Sequence, residues 1–215
     1  MALQTHIDTQ NKIIEIAKKL FREYGYEKTS IRMIVREMGL KSAASFYQFF
    51  ESKEALVSNL INAHTRRKAR QLEPWLKDTD ELVRCIVNFC AEDWNRLYDA
   101  PYRRWYAEIS ITWTLPQMFQ IHQDGRMFLD GICEDPRVPA SRDELRYDFY
   151  CSIKGDSYGI LAYDRGEVSL SLKEILDRKP EKLLRLCRVG AEDSQKILEE
   201  VKEIIDAIPD SVKQN

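Results

Sequence analysis

Residues 29–50 read TSIRMIVREMGLKSAASFYQFF, and the spacing of their apolar and small residues decides the fold. Ile31, Ile34, Val35 and Met38 recur at helical period behind Thr29 or Ser30, either of which can cap a helix start. Gly39 stops that helix, because glycine takes left-handed backbone past a last turn without a Cβ penalty. After Leu40 and Lys41, Ser42 can cap a very short second helix, with Phe46 and Phe50 four apart on one face. Two short helices joined by a glycine turn form a helix-turn-helix once a longer helix docks behind them.

The longer helix lies just upstream. Ile13, Ile14, Ala17, Leu20, Phe21 and Tyr24 make one apolar stripe at period 3.6, and Gly25 ends it. Downstream, Ser52 caps a helix that carries Leu56, Leu60 and Ile61 and runs on toward Pro74. Capping boxes at Asp78…Glu81, Ser141…Glu144 and Ser171…Glu174 open later helices. Pro101 and Pro116 suit the first turns of two more. The last helix repeats the first one's pattern in Ile197, Leu198, Val201, Ile204, Ile205 and Ile208. No stretch alternates with period two, so the chain is expected to be all-α. The expected architecture is an N-terminal three-helix helix-turn-helix DNA-binding domain over residues 1–55. A larger helical bundle follows over residues 56–215. With no linker between them, the two are expected to share the helix from Ser52.

The charges divide the same way. Residues 1–70 hold thirteen Lys and Arg against seven Asp and Glu, whereas the rest holds 20 against 28. A basic head on an acidic body places the contact with a polyanion at one end. The five cysteines, Cys85, Cys90, Cys133, Cys151 and Cys187, are odd in number and include no C-x-x-C pair, which fits small reduced core residues. No run of about 18 apolar residues is present, so no membrane partner is expected. Met1 to Lys12 lacks the apolar stretch of a secretory signal, and the expected location is the cytoplasm.

A recognition helix must be slim to enter the DNA major groove, which is about 12 Å wide. Ser42, Ala43, Ala44 and Ser45 supply such a face, and the helix N-terminus aims free amides at phosphate. Over residues 10–60 the chain resembles the tetracycline-repressor (TetR) family. The resemblance runs through Gly25, Thr29-Ser30-Ile31-Arg32, Met38-Gly39-Leu40, the aromatic-rich run from Ser42 to Phe50, and Ser52-Lys53-Glu54-Ala55-Leu56.

The resemblance implies that Tyr47 contacts phosphate, that Lys53 grips backbone, and that Thr29 or Ser30 places a hydroxyl on phosphate. It also implies that Ser42, Ala43, Ala44 and Gln48 face bases or the groove wall; Gln48 has the amide that pairs bidentately with adenine. Here the turn is one residue longer than the commonest family spacing. Position 43 is Ala where a basic residue is frequent, Phe49 stands where His or Tyr is frequent, and Lys41 is placed to return the charge.

In the body, residues 94–128 are rich in aromatics with polar tips. Trp94, Tyr98, Tyr102, Trp105, Trp113 and Phe119, with Ile109, are the expected lining of a small-molecule effector pocket. Glu108 and His122, with Asp124 nearby, are its expected polar handles, and a cationic effector held by ring faces and Glu108 is one chemistry they allow. His122 and Asp124 lack further ligands at metal spacing, so neither metal nor cofactor is expected. Ser152, Gly155 and Gly159 lie close together along the Ser141 helix. Their smallness fits close helix packing, and the resemblance implies a homodimer built from this helix and the last long one.

The expected function is therefore a dimeric regulator of operator DNA, more often a repressor, controlled by a small molecule. Recognition helices on a two-fold axis would read half-sites about 34–36 Å apart, and an effector that tilts the shared helix would break that register. A helical-bundle enzyme fits less well, because no Ser/His/Asp or Cys/His arrangement and no glycine-rich phosphate loop is visible. A protein-interaction module that has lost operator binding draws support only from Ala43 and Phe49.

Overall fold

The structure is a computed structural model that describes residues 2–94, 99–114, 117–118 and 125–214. Among the described residues it is helical throughout, with no strand. The head contains α1 (Ala2–Tyr24), α2 (Ile31–Glu37) and α3 (Ala44–Tyr47), and α4 (Lys53–Leu76) runs from it into the body. The body adds α5 (Glu81–Ala91), α6 (Ala100–Thr112), α7 (Gly125–Glu134), α8 (Arg142–Asp164), α9 (Leu172–Asp177), α10 (Lys179–Leu186), α11 (Ala191–Ala207) and α12 (Asp210–Gln214).

Head packing follows the sequence period with one exchange. Ile13, Ala17, Leu20 and Phe21 are buried on α1, but Tyr24 is exposed and Tyr26 takes the inward place. The cause is Gly25, whose φ of +81° turns the chain so that residue 26 points where a further helical turn would have put 24. Gly39, at φ +71°, likewise ends α2. α1 also reaches back to Ala2, since nothing from 2 to 12 breaks a helix. Its first turns lie along the end of the recognition segment, where the His6 ring stacks on Phe49 at 4.6 Å.

Caps confirm Ser52, Ser141 and Ser171, the last two as full capping boxes. Two expected caps are corrected. Ser42 does not cap α3, because Ala43 already has helical angles and the turn opens with the amides of Ser45 and Phe46 on the carbonyls of Ser42 and Ala43. Asp78 does not cap α5. Asp80 does, its Oδ1 accepting from the amides of Leu82 and Val83. Pro101 sits in the first turn of α6 as expected, whereas Pro116 lies outside the described residues. Cys85, Cys90 and Cys187 are buried, and burial pushes their thiols up to about 12. Cys133 is half-buried, and Cys151 departs from the expectation by facing solvent.

α6 packs antiparallel against the C-terminal half of α8. Arg103 near the start of α6 binds Asp164 at the end of α8 (2.7 Å), and Lys154 of α8 donates to the carbonyls of Ile111 and Trp113. That register sets Ser110 level with Ser157, and both hydroxyls are buried without a hydrogen-bond partner.

Candidate nucleic-acid interface

Thr29 and Ser30 part company in the folded head. Thr29 is 0% exposed, and its hydroxyl donates to the carbonyls of Gly25 (2.8 Å) and Leu20 (3.2 Å), tying the end of α1 to the start of α2. Ser30 is exposed and caps α2 by accepting from the Met33 amide. Of the two hydroxyls, only that of Ser30 stands where DNA can reach it.

An open groove runs between α2, α3 and the start of α4. It gathers Ser30, Ala43, Tyr47 and Lys53 with Arg32 and Ser52. Tyr47 is turned out by its neighbours: Phe46 and Phe50 fill the core, which leaves its ring 55% exposed. Lys41, Ser42, Ala44 and Gln48 are exposed along the turn and the short helix. Arg32 was not singled out from sequence, though its place two residues after the capping Ser30, off the Ile34–Val35 buried face, marks an outward cation.

Lys53 is half-buried and already engaged. Its Nζ donates to the carbonyls of Tyr26 (3.0 Å) and Thr29 (3.1 Å) and lies 3.8 Å from the centroid of the Tyr26 ring. Burial lowers its pKa, and the carboxylates of Glu27 and Glu54 act against that shift. Three ammonium protons minus two such bonds leave one N–H beyond these carbonyls. The Tyr26 hydroxyl donates to Glu54 (3.1 Å), and burial foremost, then the charge of Glu54, raises its own pKa.

Much of the aromatic stretch of the body packs toward the head. Trp94, Trp105, Ile109 and Trp113 are buried, and Tyr102 and Glu108 are half-buried. Trp105 packs on Phe21 of α1 (5.6 Å) and on Tyr102 (5.0 Å), and Trp113 meets Tyr26 edge-on (5.4 Å). The Glu108 carboxylate lies against Gly25, within 3.2 Å of where a Cβ would stand. Arg22 of α1 pairs with Asp99 at the head of α6. These side chains form the joint between head and body. Trp94 stands apart, beneath Lys213 of the C-terminal helix. Tyr98, Phe119, His122 and Asp124 lie outside the described residues.

Residues 13–60 match the model of the bacterial regulatory proteins of the tetR family. The head is similar to the TetR family. A 55-residue stretch, 26% of the chain, is 42% identical to the uncharacterized HTH-type transcriptional regulator YuxN of Bacillus subtilis (strain 168). A stretch of 88 residues, 39% of the chain, is 30% identical to the HTH-type transcriptional regulator HbdR of Aromatoleum sp. (strain CIB). These matches span 19% and 38% of the relatives' own lengths. Over 91% of this chain and 95% of the other, the fold is similar to that of RolR, solved in complex with the ligand resorcinol, with a TM-score of 0.60 at 17% identity. The TetR-type head is thus carried on a body of the same overall architecture, and the groove lies within the matched residues.

Proposed function

We propose that this protein is a dimeric, sequence-specific DNA-binding transcriptional regulator, a repressor, whose operator affinity is set by a small molecule bound in the helical body. The observation that carries this reading is the groove of the TetR-type head, where exposed Tyr47 and Ser30 stand beside the one remaining N–H of Lys53. Such a set suits phosphate: a hydroxyl, a phenol and a partly desolvated ammonium position the protein, while Ser42, Ala43, Ala44 and Gln48 meet the groove wall and base edges. Arg32 and Lys41 add charge at its margins.

RolR, solved with resorcinol, is compatible with a small-molecule effector for a body of this fold. Tyr102, Trp105, Glu108, Ile109 and Trp113 are where such a ligand would act, since that stretch touches the head directly. The DNA-binding unit spans residues 1–55 and the effector and dimerisation unit 56–215, joined through α4. The reading is of a binding protein, not a catalyst, working in the cytoplasm where its DNA is.

The test is a mobility shift on the DNA upstream of the protein's own gene, across a salt series. Wild type gives a specific shift that weakens steeply with salt. Tyr47→Ala and Lys53→Ala each weaken it, and Lys53→Ala, which removes a charge, also lowers the salt slope by about one. A shift indifferent to both substitutions overturns the assignment of these anchors, and no shift with any duplex overturns the regulator reading.

A further inference from the structure

We propose that Tyr26 is the residue through which the body positions Lys53, so that a displacement of Trp113 is felt directly as a change in the grip on phosphate. This rests on the reading of the groove as a DNA interface. It adds a route that requires neither a tilt of α4 nor a change in half-site spacing.

The route is continuous in contacts. Lys154 of α8 donates to the Trp113 carbonyl (2.8 Å) and the Ile111 carbonyl (3.3 Å), which ties the end of α6 to α8. Trp113 is the first residue past α6, with extended backbone, and its buried indole sits edge-on against Tyr26. Tyr26 is 2% exposed and controls Lys53 in three ways. Its ring lies under the ammonium, its carbonyl accepts from Nζ, and its hydroxyl holds the neighbouring Glu54.

The direction of the remaining N–H of Lys53 is therefore set by the place of the Tyr26 ring and carbonyl. Packed aromatic cores do not deform smoothly, because neighbouring rings fill the space around each one. Phe21 also packs on the buried Tyr26 ring at 5.6 Å, so a push from Trp113 meets little free space. A hydrogen bond to phosphate weakens steeply with misdirection, so a small movement suffices to loosen the anchor. A merely structural Tyr26 would instead trade stability alone and leave the exposure of the Lys53 amine unchanged.

Two readouts on the full chain test this. The first is the acylation rate of Lys53 by an amine-reactive ester, measured by peptide mass spectrometry against exposed Lys41 as internal reference. The second is affinity for the upstream duplex. Trp113→Leu is expected to raise Lys53 acylation relative to Lys41 severalfold and to weaken DNA binding by about tenfold, the scale of one lost phosphate contact. Trp113→Phe, which keeps a ring edge on Tyr26, is expected to restore most of both. In a Lys53→Met background, Trp113→Leu is expected to cost no further affinity.

An unchanged Lys53 acylation rate, or full additivity of Trp113→Leu with Lys53→Met, overturns the proposal. Should the leucine variant not fold, Trp113→Met carries the acylation measurement, since it keeps apolar volume and removes the ring edge from Tyr26. A raised rate there supports the route, and an unchanged one overturns it. If wild type binds no duplex at all, the DNA reading fails while acylation still decides the route.

Discussion

Single side chains in this protein are assigned their work by what lies behind them. Thr29 and Ser30 are chemically near-equivalent caps, yet one hydroxyl is spent on the carbonyls of Gly25 and Leu20 and the other faces the groove. Ser110 and Ser157 show the reverse case of hydroxyls with nothing to bind, and an unsatisfied buried group costs about 1–3 kcal/mol. Ser110→Ala is therefore expected to raise stability by ~1 kcal/mol, read as a higher urea midpoint at unchanged m-value. A lower midpoint would mean that the hydroxyl is bonded in solution.

His64 is one residue that makes stability depend on acid. Burial first, then the charges of Lys68, Arg67 and Lys18, push its pKa down to about 4 from 6.5. The unfolded chain then binds the extra proton between those values, so stability is fully present above pH 6.5 and is lost as pH falls toward 4. The loss is on the order of 2 kcal/mol once partial exposure is allowed for. Urea titrations of wild type and His64→Gln across that window check it: the variant's slope is expected to be shallower. Parallel slopes would show that other groups dominate.

At the scale of elements, length and face matter more than propensity. α3 has four residues and no side-chain cap, so it cannot hold itself together and is kept by Phe46 and Phe50 in the core and by the His6–Phe49 stack. α8 presents the opposite situation, a long helix with an outward stripe of Tyr147, Cys151, Gly155 and Tyr158, the last 60% exposed. A Cβ on Gly155 would meet nothing within 4 Å in its own chain, so its smallness serves no contact inside the subunit. If the stripe is the dimer seam, Tyr158→Glu is expected to yield a monomer by light scattering while helical circular dichroism is retained. A dimer that survives at micromolar concentration would move the seam elsewhere.

Across the whole molecule, two ties bind distant parts of the chain. α4 is buried at Leu56, Val57, Leu60 and Ile61 near its start and at Leu72 and Leu76 near its end, so one helix is anchored in the core along its length. Midway along it Lys68, 1% exposed, donates to the carbonyls of Val212 (2.8 Å) and Lys213 (3.4 Å), and burial, with Arg67 nearby, pulls its pKa down to about 8. Removing residues 209–215 would leave this ammonium without those acceptors and is expected to cost about 2–3 kcal/mol in thermal or urea unfolding. In a Lys68→Met background the same truncation is expected to cost much less. Equal costs in both backgrounds would show that Lys68 does not hold the tail.

Periodicity and punctuation in the chain determined the helices, the glycine stops at 25 and 39, the caps at Ser52, Ser141 and Ser171, and the helix-turn-helix itself, because those are local decisions of backbone and spacing. Local signals also ranked Ser42 and Asp78 as caps, and there neighbours one or two residues away won. Only the tertiary structure decided that Tyr26 replaces Tyr24 in the core, that Thr29 turns inward, and that Lys53 is half spent inside the head. It also decided that much of the aromatic run from Tyr102 to Trp113 is a joint against α1 and Tyr26. Those outcomes depend on which surfaces meet across tens of residues, and a one-dimensional pattern of apolar spacing is the same whether a ring lines a pocket or presses on another helix.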